Sequence, residues 1–121
     1  MEIAGFLENP TGEHLHATIE AFEAIAATST ATTLRSIESN MREHGITHFM
    51  LRAPIAAVEE FDVVSSSELH TPKTLAMLES ATSLASGLYL YQPNPSEAIF
   101  DLLCRYLEPR RTELLEAVSA A

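Results

Sequence analysis

Residues 42–54 read REHGITHFMLRAP, and the way this stretch is parsed decides the fold. Two histidines, His44 and His48, stand four apart, the spacing at which one helical turn offers both to a metal ion. Gly45 lies between them, followed by the β-branched Ile46 and Thr47. A glycine after the last apolar-periodic residue ends a helix in the left-handed conformation, and the next apolar residue packs back on the last turn. His44 therefore closes a helix, where an imidazolium complements the helix dipole. His48 belongs to the next element, so the two rings do not share a face and no metal is expected. From Ile46 to Arg52 the residues alternate, with Thr47, Phe49 and Leu51 on one side and Ile46, His48, Met50 and Arg52 on the other. That period predicts a strand, ended by Ala53-Pro54.

Upstream, residues 1–11 read as a lead-in broken at Asn9-Pro10. Leu15, Ile19, Phe22 and Ala26 then recur at helical spacing and predict a helix over 13–27, capped by Thr11 or Gly12. Thr28 to Thr33, TSTATT, reads as a link, because these side chains compete for backbone hydrogen bonds. A second helix follows, with Leu34, Ile37 and Met41 on one face.

Downstream, VEEFDVVS (58–65) predicts a second strand, close enough to the first for a hairpin. Thr71 before Pro72 caps a helix that carries Leu75, Leu78 and Thr82 and closes at Gly87. LYLYQ (88–92) predicts a third strand. In NPSE (94–97), Asn94 caps, Pro95 is the first helical residue and Glu97 reaches back to the cap backbone. The helix so opened carries Ile99, Leu102, Leu103, Tyr106 and Leu107, kinks at Pro109, and resumes through Leu114, Leu115 and Val118. The order α-α-β-β-α-β-α implies one α+β domain over 1–121: a small, mostly antiparallel three-stranded sheet with helices packed on it.

Composition narrows the function classes. Seventeen acids against seven bases give the 121 residues a net charge of −10, with Lys73 the single lysine. A phosphate backbone repels such a surface, so no direct nucleic-acid partner is expected. A polybasic membrane patch is absent. The hydrophobic share, 46%, is that of a globular chain. One cysteine, Cys104, excludes an intrachain disulfide and suits a reducing compartment. With no leader pattern and no apolar run of about 18 residues, a cytoplasmic location is expected.

The chemistry-bearing residues give no catalytic signature. Cys104 lies by the apolar stripe of its helix and reads as an inert core thiol. His14 and His16 diverge on one helix, and His70 reads as a loop residue. Glu60 and Asp62 face one way and Glu59 the other, as on a half-solvated strand edge. Arg105, Arg110 and Arg111 suit local pairing with Glu108 and Glu113. There is no Gly-rich loop, no Ser-His-Asp and no CxxC pattern, so no cofactor is expected. Tyr89 and Tyr91 share a strand face. With Phe49 and Phe61 they are the candidate lining of a pocket between the sheet and the helix that starts at Pro72, suited to an amphipathic small ligand.

TLRSIESNMREHGITHFMLRAP (33–54), VEEFDVVSS (58–66) and the stretch from Ala85 to Val118 together resemble LuxR-type autoinducer-binding domains. The family opens with a helix ending in Gly plus an apolar residue, then a strand with a short Ala-Pro exit, and closes on a strand and a long helix. The family's pocket tryptophan, tyrosines and aspartate follow its second strand. Here that segment is SSELHTPKTLAMLES, without an aromatic, and the chain has no Trp. The DNA-reading helix-turn-helix is missing as well. What the resemblance implies is therefore the scaffold and its pairing surface, as in truncated relatives that silence activators by forming mixed dimers.

Three functional expectations follow. The first is a non-enzymatic regulatory or interaction module that docks a protein partner or a second copy of itself, its acidic surface suiting a basic rim. The second is a small-ligand sensor. The third is a small enzyme drawing on His48 or Glu60.

Overall fold

A computed structural model of the chain describes residues 3–58, 66–88 and 97–120. The helices in chain order are α1 (Ile3–Glu8), α2 (Leu15–Ala24), α3 (Thr28–His44), α4 (His48–Ala56), α5 (Ser66–Leu69), α6 (Pro72–Leu84), α7 (Ile99–Leu107) and α8 (Arg111–Ala120). Short 3-10 turns at Pro10–His14, Ala85–Gly87 and Glu108–Arg110 join some of them. The described residues contain no strand, so the expected α+β fold with its three-stranded sheet gives way to an all-α fold.

The stretch at 42–54 shows where the two readings part. Gly45 does end α3 in the left-handed conformation, at φ 67°. Its N–H donates to the Arg42 carbonyl at 3.0 Å, that of Ile46 donates to Met41 at 2.9 Å, and Ile46 is buried. The strand expected over 46–52 is helical instead. Thr47 is extended at φ −100°, ψ 163°, and its hydroxyl accepts the Met50 N–H at 3.3 Å. The Thr47 N–H in turn donates to the Met50 sulfur at 3.5 Å. Thr47 is thus an N-cap, and Ile46 and Leu51 stand at the two positions of a hydrophobic staple, both in the core. A turn of 100° per residue in place of alternation sends Leu51 inward and Phe49 out to solvent. Of the other two expected strands, 58–65 and 88–92, only Val58 and Leu88 fall within the described residues. Each closes a turn, Val58 on the Ile55 carbonyl at 3.2 Å and Leu88 on that of Ala85 at 2.9 Å.

TSTATT is not a link but the first turns of α3. Its hydroxyls bond back along the helix, Thr33 to the Ser29 carbonyl at 3.1 Å, rather than breaking it. The turn from α2 is made by Ala26, at φ 65°, with the Ala27 N–H donating to Phe22 at 2.8 Å. The segment at 1–11 contributes α1, whose Ile3 and Leu7 are buried. At Gly12 the chain passes so close to α1 that a Cβ there would collide with the Leu7 carbonyl oxygen. The core joins these to Leu15, Ile19, Leu34, Ile37 and Met77. α2 packs on α3, α3 on α6, and α1 on both α4 and α6. α7 and α8 take no substantial part in that packing.

Candidate interaction surface

α7, the 3-10 turn and α8 form one continuing arm over residues 99–120. Leu107, Glu108 and Arg111 all keep right-handed helical angles, so the chain runs on through Pro109 without doubling back. Pro109 has no N–H to continue the ladder. Arg110 splints the gap: its Nη1 donates to the Tyr106 carbonyl at 2.9 Å, and its guanidinium sits 3.9 Å from the centroid of the Tyr106 ring. None of the expected pairs of Arg105, Arg110 or Arg111 with Glu108 or Glu113 forms an ion pair.

No residue of the arm is buried. Phe100 is 76% exposed, Leu115 58% and Val118 74%. Cys104 is exposed too, not a core thiol. Cys104, Leu107, Arg111, Leu114 and Val118 line one open groove of about 350 Å³ along the arm. These positions are spaced alternately by three and four residues, the repeat that keeps a seam facing a partner helix. The arm also differs from the rest of the chain in charge. Asp101, Glu108, Glu113 and Glu116 nearly balance Arg105, Arg110 and Arg111, whereas thirteen acids and four bases lie outside it.

Glu97 anchors the start of the arm. Ala98 is extended at φ −82°, ψ 93°, so α7 begins at Ile99 and Glu97 does not cap its own helix. It caps α3 instead, whose N-cap residue Ala27 has no side-chain acceptor. The Ser29 N–H donates to Oε2 at 2.8 Å, and the Thr30 N–H and hydroxyl donate to Oε1 at 2.9 and 2.6 Å. Burial alone would raise the Glu97 pKa. The bonds from the Thr30 hydroxyl and from the Thr30 and Ser29 amides outweigh that and hold the carboxyl below its ordinary value. The other motif residues, Asn94 to Ser96, lie outside the described residues.

Of the four candidate pocket residues, Phe49 stands on α4 with its ring 76% exposed, while Phe61, Tyr89 and Tyr91 lie outside the described residues. An open groove of about 940 Å³ lies elsewhere, between α3 and α6. Its walls carry the hydroxyls of Thr32, Ser36, Ser39, Ser80 and Ser83, a polar lining unlike that of an apolar ligand pocket.

The rings of His48, His44 and His16 bond partners within the fold. The His48 Nδ1–H donates to the Leu7 carbonyl at 3.0 Å, and Arg52 reaches the Glu8 carbonyl at 3.5 Å, so α4 closes the C-terminal end of α1. His44 bonds the Asn40 carbonyl at 2.8 Å. His16 bridges Glu20 and Glu38, each at 2.9 Å. His70, read as a loop residue, is buried at the foot of α6, its Nε2 3.6 Å from the buried Glu8 carboxylate and without a hydrogen bond. Among the described residues no cluster of three or more metal-ligating side chains occurs, and no helix is long and apolar enough to cross a membrane. No family model matches the chain, and neither does any curated protein or solved structure.

Proposed function

We propose that this protein is a non-enzymatic interaction module that docks a helical protein partner along the 99–120 arm. One observation carries the reading. The chain seats Leu7, Ile19, Ile37, Leu51 and Met77 out of solvent, yet leaves Phe100, Leu114, Leu115 and Val118 along the arm exposed. Helices of this length draw most of their stability from packing an apolar face, and a proline within one removes part of its own support. A partner helix laid along the face supplies that packing. The mixed-dimer role implied by the LuxR-type resemblance is of this same kind.

The sensor and enzyme readings have less behind them. The α3–α6 groove is hydroxyl-lined and open, and the His48 ring is engaged through Nδ1 with the Leu7 carbonyl.

Native mass spectrometry of the full chain taken gently from its source cells tests the proposal. The expected result is a complex with a polypeptide that is lost in the Leu114→Glu, Val118→Glu variant. A bare monomer, or a complex indifferent to both substitutions, overturns it.

A further inference from the structure

We propose that the occupant of the arm is a second copy of this chain, paired antiparallel, with Arg111 of each copy against Glu108 of the other. The proposal rests on the reading of the arm as an interface and names its partner.

Three features of the arm point to self-pairing in this direction. The first is the seam. Phe100, Cys104, Leu107, Arg111, Leu114 and Val118 follow the alternating three–four spacing of a two-helix interface, and Arg111 is the one charge among them. In a parallel pair equivalent positions meet, so Arg111 would face Arg111 of the other copy. In an antiparallel pair centred at residue 109, Phe100 meets Val118, Cys104 meets Leu114 and Leu107 meets Arg111. The arginine stem then lies over Leu107 of the other copy while its head reaches the adjoining Glu108. Two-fold symmetry makes that contact twice.

The second feature is the proline. A register centred at 109 sets the two Pro109 breaks at the same level, so both arms bend at the dyad instead of parting along the seam. At about 1.5 Å per residue each arm is about 33 Å long, some three heptads. The third feature is charge. The body of the chain is strongly acidic and repels its own copy, but the near-neutral arm carries three of the seven bases and approaches its copy without that penalty.

The test is a charge swap in the full-length chain. Arg111→Glu and Glu108→Arg are prepared separately, and sedimentation is followed over a concentration series. The wild type is expected to dimerise. Each single variant sets like charges together and is expected to weaken the dimer about tenfold or more. An equal mixture of the two restores one favourable pair at each end and is expected to recover the wild-type affinity as a heterodimer. Both positions are exposed, and circular dichroism with thermal melting of each variant confirms an intact core. A wild type that stays monomeric overturns the inference, as does a dimer insensitive to both changes or a mixture no better than its components. A monomer that still holds a different polypeptide through Leu114 and Val118 overturns self-pairing alone and leaves the docking arm in place.

Discussion

The carboxylate of Glu97 accepts the backbone N–H of Thr30 at 2.9 Å across 67 residues of chain, capping a helix whose own N-cap residue is an alanine. Replacing Glu97 with Ala should speed amide exchange at Ser29 and Thr30 and destabilise the fold by about 1 kcal/mol, the usual worth of an N-cap. The pH dependence has a definite sign. A carboxyl held below its ordinary value of 4.5 in the folded state contributes fully above that value. The contribution is lost as pH falls through the lower, folded value. The stability gap between wild type and Glu97→Gln should therefore shrink on acidification below 4.5. A gap that stays level across that range would remove the charge of Glu97 from the account.

Ala26 and Gly45 both end helices at positive φ, at 65° and 67°, but only one of them is a glycine. A left-handed backbone strains any residue with a Cβ by about 1–2 kcal/mol, and glycine returns part of the gain through its greater freedom when unfolded. Ala26→Gly should stabilise the protein by somewhat under ~1 kcal/mol. Gly45→Ala should destabilise it by about 1 kcal/mol through that backbone strain alone, since the added Cβ would make only an ordinary contact with the Lys73 ammonium, at 3.5 Å. Urea titrations of both variants decide the matter, and equal signs for the two would contradict it.

Glu8 and His70 lie 3.6 Å apart with both side chains nearly out of solvent, tying α1 to the turn before α6. His70→Leu removes that contact between the two elements and should lower stability by about 1 kcal/mol. Adding Glu8→Leu to it should do much less further damage than Glu8→Leu does alone. Additive losses in the double-mutant cycle would show the two to be uncoupled.

Much of the helical framework could be read from residues. The 3.6-residue period of Leu15, Ile19 and Phe22 marks α2, Thr71-Pro72 marks the start of α6, and Gly45-Ile46 marks the end of α3. The strand reading failed at Thr47, where a β-branched pair fits both alternation and a cap. The deciding signal was Ile46 and Leu51 flanking Thr47 at staple spacing, five residues apart, which a period-two reading assigns to opposite faces. TSTATT failed for another reason. Its cap is Glu97, and no local pattern announces an acceptor so far along the chain. The arm was legible as a helix broken at Pro109, but not as an exposed one. An apolar stripe looks the same whether its own chain or another covers it.

α1 has six residues, too few to hold helical form by themselves, and its carbonyls are taken by His48 and Arg52 some forty residues later. Such a piece has no nucleating power of its own. It should therefore join the fold after α2, α3 and α6 have met, and leave before they part. In kinetic terms Leu7 belongs to the low-φ class: Leu7→Ala should quicken unfolding and leave the refolding rate nearly unchanged. Among the described helices, the earliest in the chain is thus expected to be the last to find its place.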